Sequence, residues 1–214
     1  MAAIRIKKIA AAGVLSAVVI VLGITGLGFI LLPLGAVTIL HVPVIIGAIL
    51  EGPLVGVVIG LLFGVFSIIQ AAMIAVTPVD LAFLHYPLIA ILPRILIGPG
   101  AWIIYALISG RPGSPADRAG LKPRLARESA AVIAAAVAGT LINTVLVLSG
   151  LALLVPEVTW MMALTVGLTN GPAEAGIAAA ITLSVILTWK RIPRGGKSRL
   201  TREAEKSADT GMPE

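Results

Sequence analysis

Six long apolar stretches, at about residues 9–30, 29–50, 53–76, 81–109, 129–155 and 160–189, follow one another with only short polar interruptions between them. A helix needs about 20 apolar residues to cross the hydrocarbon of a bilayer. The pattern therefore predicts six spanning helices. The second stretch is interrupted by Pro33, Gly35 and Pro43, and the fourth by Pro87, Pro93 and Pro99. Broken helices release backbone groups that survive in lipid only when buried in protein or lining a cavity, which favours a binding protein over a simple anchor. The turn Glu51-Gly52-Pro53 is built to end one helix and open the next. In the third stretch Gly52, Gly56, Gly60 and Gly64 recur every fourth residue and form one smooth face for close helix packing.

Composition sharpens this reading. The 214 residues are 58% hydrophobic and only 12% charged, with a mean hydropathy of +1.08, too little polar surface for a water-soluble domain. The expected fold class is an all-α integral membrane protein, a six-helix bundle occupying residues 1–191, followed by a basic tail at 192–214 without a fold of its own. A basic n-region precedes the first apolar run, yet the run is too long for a cleaved leader, so a retained first helix is expected.

Charge supplies the topology. Fifteen of the 16 Lys and Arg fall in the first eight residues, between Arg111 and Arg127, or from Lys190 onward. With both termini cytoplasmic, every cluster obeys the positive-inside rule. The net charge of +6 then serves anionic headgroups rather than nucleic acid. Cysteine is absent and histidine occurs only twice, which argues against thiolate chemistry and metal centres.

Arg94 lies off this charge map, inside the fourth stretch. Counting 1.5 Å per residue from the basic ends places Arg94 at about 22 Å, Asn143 at about 21 Å and Glu174 at about 24 Å. All three fall in the outer third of a core about 30 Å thick. Such groups are costly in lipid unless paired or solvated. Two arrangements are compatible with them. In one, Arg94 holds a small polar ligand that Asn143 and Glu174 orient; in the other, Arg94 and Glu174 form an ion pair that ties two helices together. His41, Thr38, Tyr86 and Asn170 are further candidates for ligand contact, with His85 beside them. On the first helix, Ala12/Ser16 and Gly13/Ala17 form small-residue pairs suited to helix docking.

These residues resemble a known family. The run from His41 to Pro53 (His41-Val42-Pro43-Val44-Ile45-Ile46-Gly47-Ala48-Ile49-Leu50-Glu51-Gly52-Pro53), the following Gly56-to-Gly64 segment, Leu92-Pro93-Arg94-Ile95-Leu96-Ile97-Gly98 and Gly139-Thr140-Leu141-Ile142-Asn143-Thr144 resemble the substrate-binding (S) components of energy-coupling factor (ECF) transporters. The likeness spans about residues 5–191 and is most similar to the pantothenate-type branch. It implies capture of a vitamin in an outward-facing cavity in the plasma membrane of a prokaryote, without enzymatic activity in this chain. It further implies docking to a transmembrane coupling protein with two ABC ATPases, where ATP and Mg act, and toppling of the whole subunit to release cargo inside. The segment at about 26–37 would serve as a lid, and Ala12, Gly13, Ser16 and Ala17 as the docking patch. Residues 2 to 6 lack the histidine-bearing terminus of the metal branch, so cobalt and nickel are not expected. A self-sufficient secondary transporter or channel is the alternative, disfavoured by a single polar cluster. A membrane enzyme is disfavoured by the lack of a nucleophile-base or paired-acid motif.

Overall fold

The structure, a computed structural model, describes residues 2–32, 35–73, 78–110 and 121–191. Its elements are α1 (Ala2–Ile24), β1 (Phe29–Leu32), β2 (Gly35–Thr38), α2 (Val42–Glu51), α3 (Pro53–Met73), α4 (Pro78–His85), α5 (Pro87–Ser109), α6 (Leu121–Leu154) and α7 (Trp160–Arg191). Expectations for the basic stretch from Arg111, the lid at about 26–37 and the tail at 192–214 fall wholly or partly outside the described residues.

Among the described residues, five helices are long and apolar enough to cross a membrane: Ile6–Ile24, Pro53–Met73, Pro87–Ser109, Leu125–Leu154 and Trp160–Trp189. The second predicted span is different. Its first half is an antiparallel hairpin pairing Phe29 with Thr38 and Leu32 with Gly35, and its second half is the 10-residue α2. At about 15 Å, α2 is half the thickness of a bilayer core. Its residues Val42 to Ile49 are buried throughout, as expected of a helix that is apolar on every face. The correction has a local cause, because Gly26 turns the chain with φ +72 after α1 and Pro43 opens α2 in its first turn. Gly28 accepts from the amide of Ile39 at 2.9 Å and so closes the base of the hairpin. The fourth span is also divided, into α4 and α5, at Tyr86.

Glycines fix the packing. A Cβ on Gly56 would lie 2.8 Å from the Gly98 Cα, one on Gly60 would collide with the Arg94 carbonyl, and one on Gly64 would lie 2.9 Å from the Ile91 Cα. α3 and α5 are thus antiparallel and in backbone contact along the glycine face. Gly100 against Ile142 and Gly150 against Ile89 set α6 antiparallel to α5, and Gly167 against Leu148 sets α7 antiparallel to α6. α1 runs with α3, since Leu15 and Ile59 both meet Gly47 while Gly23 meets Phe66 and its carbonyl accepts from Gln70 Nε2 at 3.2 Å.

The starts of α1, α3 and α6 and the ends of α5 and α7 therefore share one end of the bundle. That end gathers the basic positions of α1, α6 and α7. Arg127 Nε donates to the Ile108 carbonyl at 2.7 Å, satisfying a free acceptor in the last turn of α5. The main core joins Val44, Ile45, Ile59, Ile97, Val132 and Ile186, and a smaller cluster of Phe83, Ile89, Ala90 and Leu151 lies nearer the other end.

Gly60→Ala is expected to force α3 and α5 apart at a cost of about 1–3 kcal/mol, seen as a lower melting temperature of the purified protein. Gly13→Ala, whose Cβ meets nothing within 4 Å, should melt like the wild type. Equal melting of all three proteins would contradict backbone contact at Gly60.

Candidate functional site

His41, Arg94, Asn143 and Glu174 keep only 0%, 6%, 5% and 7% of their exposure, and each comes from a different helix or its cap. Their environments follow from the breaks already described.

Arg94 follows Pro93, which lies inside α5. In a regular helix the amide of residue 93 would bond the carbonyl of Ile89 four positions earlier, but proline has no N–H. The released Ile89 carbonyl accepts instead from Arg94 Nη1 at 2.9 Å. The guanidinium carbon lies 4.8 Å from the Phe83 ring centroid and 5.4 Å from that of Phe63, both within cation–π range. The guanidinium is thus held by two ring faces and a carbonyl. Its Nε has no partner among the described residues.

Glu174 sits two residues after Pro172 in α7. Its Oε1 accepts from the Thr38 amide at 3.0 Å and its Oε2 from the Thr144 hydroxyl at 3.0 Å. The carboxylate therefore clips the end of the hairpin onto α6 and α7. Arg94 and Glu174 form no ion pair with each other, because their hydrogen bonds go elsewhere. Thr38 contributes its backbone to the clip, while its side-chain oxygen accepts from the Leu40 amide at 3.4 Å.

His41 precedes α2 and is fully enclosed. Its Nε2 lies 2.9 Å from Thr140 Oγ1, and that hydroxyl in turn donates to the Ala136 carbonyl at 2.9 Å. Asn143 lies one turn beyond Thr140, on the same side of α6. Among the described residues, His41 Nδ1 and Asn143 Oδ1 are buried without a partner.

The remaining candidates lie further out. Asn170 is half-buried one turn before Glu174, and Tyr86 is exposed at the junction of α4 and α5. His85 is exposed, its ring bonded to the Leu81 carbonyl at 2.8 Å. On α1, Ser16 is buried and Ala12 packs against the core, whereas Gly13 and Ala17 are exposed.

Four residues of this region were not among the sequence candidates: Phe63, Phe83, Thr140 and Thr144. The threonines carried a usable signal, since Thr140, Asn143 and Thr144 share the three- and four-residue spacing of one helix face. The phenylalanines carried none, because nothing in their local sequence distinguishes a ring over a cation from a ring in the core.

The sequence matches the ECF transporter, substrate-specific component family over residues 7–186. The chain belongs to this family. The S component is also similar to the pantothenic acid transporter PanT of Lactococcus lactis subsp. cremoris, with 31% identity over 166 residues, covering 70% of this chain and 75% of that relative. Family and apolar helices together make it a multi-pass membrane protein and a transport component.

Replacing Glu174 with Leu removes the acceptor of the Thr38 amide, and backbone hydrogen exchange across residues 28–39 is expected to rise relative to α3. Glu174→Gln retains an acceptor oxygen and should stay close to the wild type. Unchanged exchange in Glu174→Leu would mean that the hairpin is held by other contacts.

Proposed function

We propose that this S component captures pantothenate from outside the cell and delivers it through an ECF-type importer energised by partner ATPases. The observation that carries the reading is that, of the five buried side-chain polar atoms without a partner among the described residues, three belong to Arg94 (Nε), His41 (Nδ1) and Asn143 (Oδ1), the other two being the hydroxyls of Ser16 and Thr182. A buried donor or acceptor left unpaired costs about 1–3 kcal/mol. Three of them near one level are best accounted for by a ligand that pairs with them.

Pantothenate fits their chemistry. It offers a carboxylate to an arginine, and hydroxyl and amide protons to the acceptors of His41 and Asn143. Similarity to a pantothenic acid transporter supports the same substrate. In this reading the Glu174 clip holds the hairpin as a lid over the site, and Asn170 and Tyr86 stand at its rim. In the same reading the hairpin with α2 counts as the second of six segments, both termini lie on one side of the membrane, and that side is the cytoplasm of a prokaryotic cell. The basic end of the bundle then faces the anionic inner leaflet. The α1 patch at Ala12, Gly13, Ser16 and Ala17 meets the coupling protein, with Gly13 and Ala17 on its outer face.

Pantothenate is expected to raise the melting temperature of the purified S component. Isothermal titration should show about tenfold weaker binding for Arg94→Lys, which keeps the charge but loses the planar fork, and none for Arg94→Ala. Wild-type affinity in a folded Arg94→Ala sample would remove the arginine from the site.

Gly13→Leu, at an exposed position, should leave that affinity unchanged while impairing uptake in cells carrying the coupling protein and ATPases. Normal uptake by this variant would reject the docking patch.

A further inference from the structure

The Thr140 hydroxyl has a single proton, and the Ala136 carbonyl takes it at 2.9 Å. Toward His41 the hydroxyl can then only accept, so the 2.9 Å contact assigns the ring proton to Nε2. In the neutral ring the other nitrogen, Nδ1, is a bare acceptor, and it is the ring atom without a protein partner. One helical turn along the same face, Asn143 Oδ1 is a second buried acceptor without a partner. Arg94, buried with its Nε unpartnered, presents only donors.

The geometry points to Thr140 as the positioning residue that sets the hydrogen-bond polarity of this site: through His41 it selects ligands that donate O–H or N–H protons to Nδ1 and Asn143 Oδ1 beside an anionic group facing Arg94. This rests on the substrate reading above and makes it narrower. The ligand class is a hydroxylated or amide-bearing acid, and an acid of equal size without those donors leaves two buried acceptors unpaired. Sites built around polar pairs reject ligands that lack one partner far more strongly than apolar pockets reject a missing methylene. Thr140 itself touches no ligand; its hydroxyl acts by fixing which nitrogen of His41 is bare. A hydrogen bond to the ring nitrogen that does not meet the ligand is the ordinary means by which proteins choose a histidine tautomer.

The test uses the full-length S component, wild type, Thr140→Val and Thr140→Ser, each with His85→Gln so that a single histidine remains. Nitrogen-15 correlation spectra report the His41 tautomer, and calorimetry compares pantothenate with its analogue lacking the pantoate hydroxyls. The expected result is Nε2–H in wild type and Thr140→Ser, with about tenfold or greater preference for pantothenate. Thr140→Val should lose both the single tautomer and most of that preference. An Nδ1–H ring in the wild type, or an undiminished preference in Thr140→Val, would overturn the inference. If the wild type binds no pantothenate, the substrate reading fails, and the tautomer in the three ligand-free proteins still decides whether Thr140 sets the ring.

Discussion

Everything around Arg94 depends on the close approach of α3 and α5. Gly56, Gly60 and Gly64 let the two backbones touch, and Gly60 meets the carbonyl of Arg94 itself. With its main chain pressed against a neighbour, the arginine extends back toward the start of its own helix, where the Ile89 carbonyl and the Phe83 ring receive it. The small-residue seam and the buried cation are therefore one construction. A side chain on any of these glycines would lift α5 and carry the guanidinium away from its partners.

Proline does complementary work on the same helix. Within a bilayer each released carbonyl needs a substitute donor, and Pro93 places the vacancy one turn from a residue with five donors. The break and its remedy are adjacent in sequence. Pro172 precedes Glu174 in a similar way on α7, where the carboxylate reaches across to the hairpin rather than along its own helix. Two helices with interior prolines thus present two buried charges of the described residues to different tasks, one held by rings and a carbonyl near its own helix and one fastening the hairpin to α6.

Much of this was legible before any coordinates. Apolar runs located α1, α3, α5, α6 and α7, the glycine spacing located the α3 packing face, and the helical rise set Arg94, Asn143 and Glu174 near one level. The hairpin was not legible, because a short apolar run bounded by Gly and Pro reads equally as strand or buried helix. The partners of the charges were not legible either. Whether Arg94 pairs with Glu174, with rings or with a carbonyl depends on rotamers and on helix rotation, and these are set by contacts far apart in sequence, such as Phe63 with Arg94. Thr140 and Thr144 were readable in principle from their spacing on α6, but threonine is common enough on membrane helices that spacing alone did not single them out.

The 34 residues of α6 make a rod about 51 Å long, well beyond the thickness of a bilayer core. Near its start Arg127 is fastened to the last turn of α5, and about 20–26 Å further along stand Thr140, Asn143 and Thr144. No proline interrupts the rod between these points. A push or a tilt delivered to the basic end of the molecule thus reaches Thr140, Asn143 and Thr144 without a proline break to absorb it, so that a partner gripping that end would hold a lever whose far arm carries the proposed binding site.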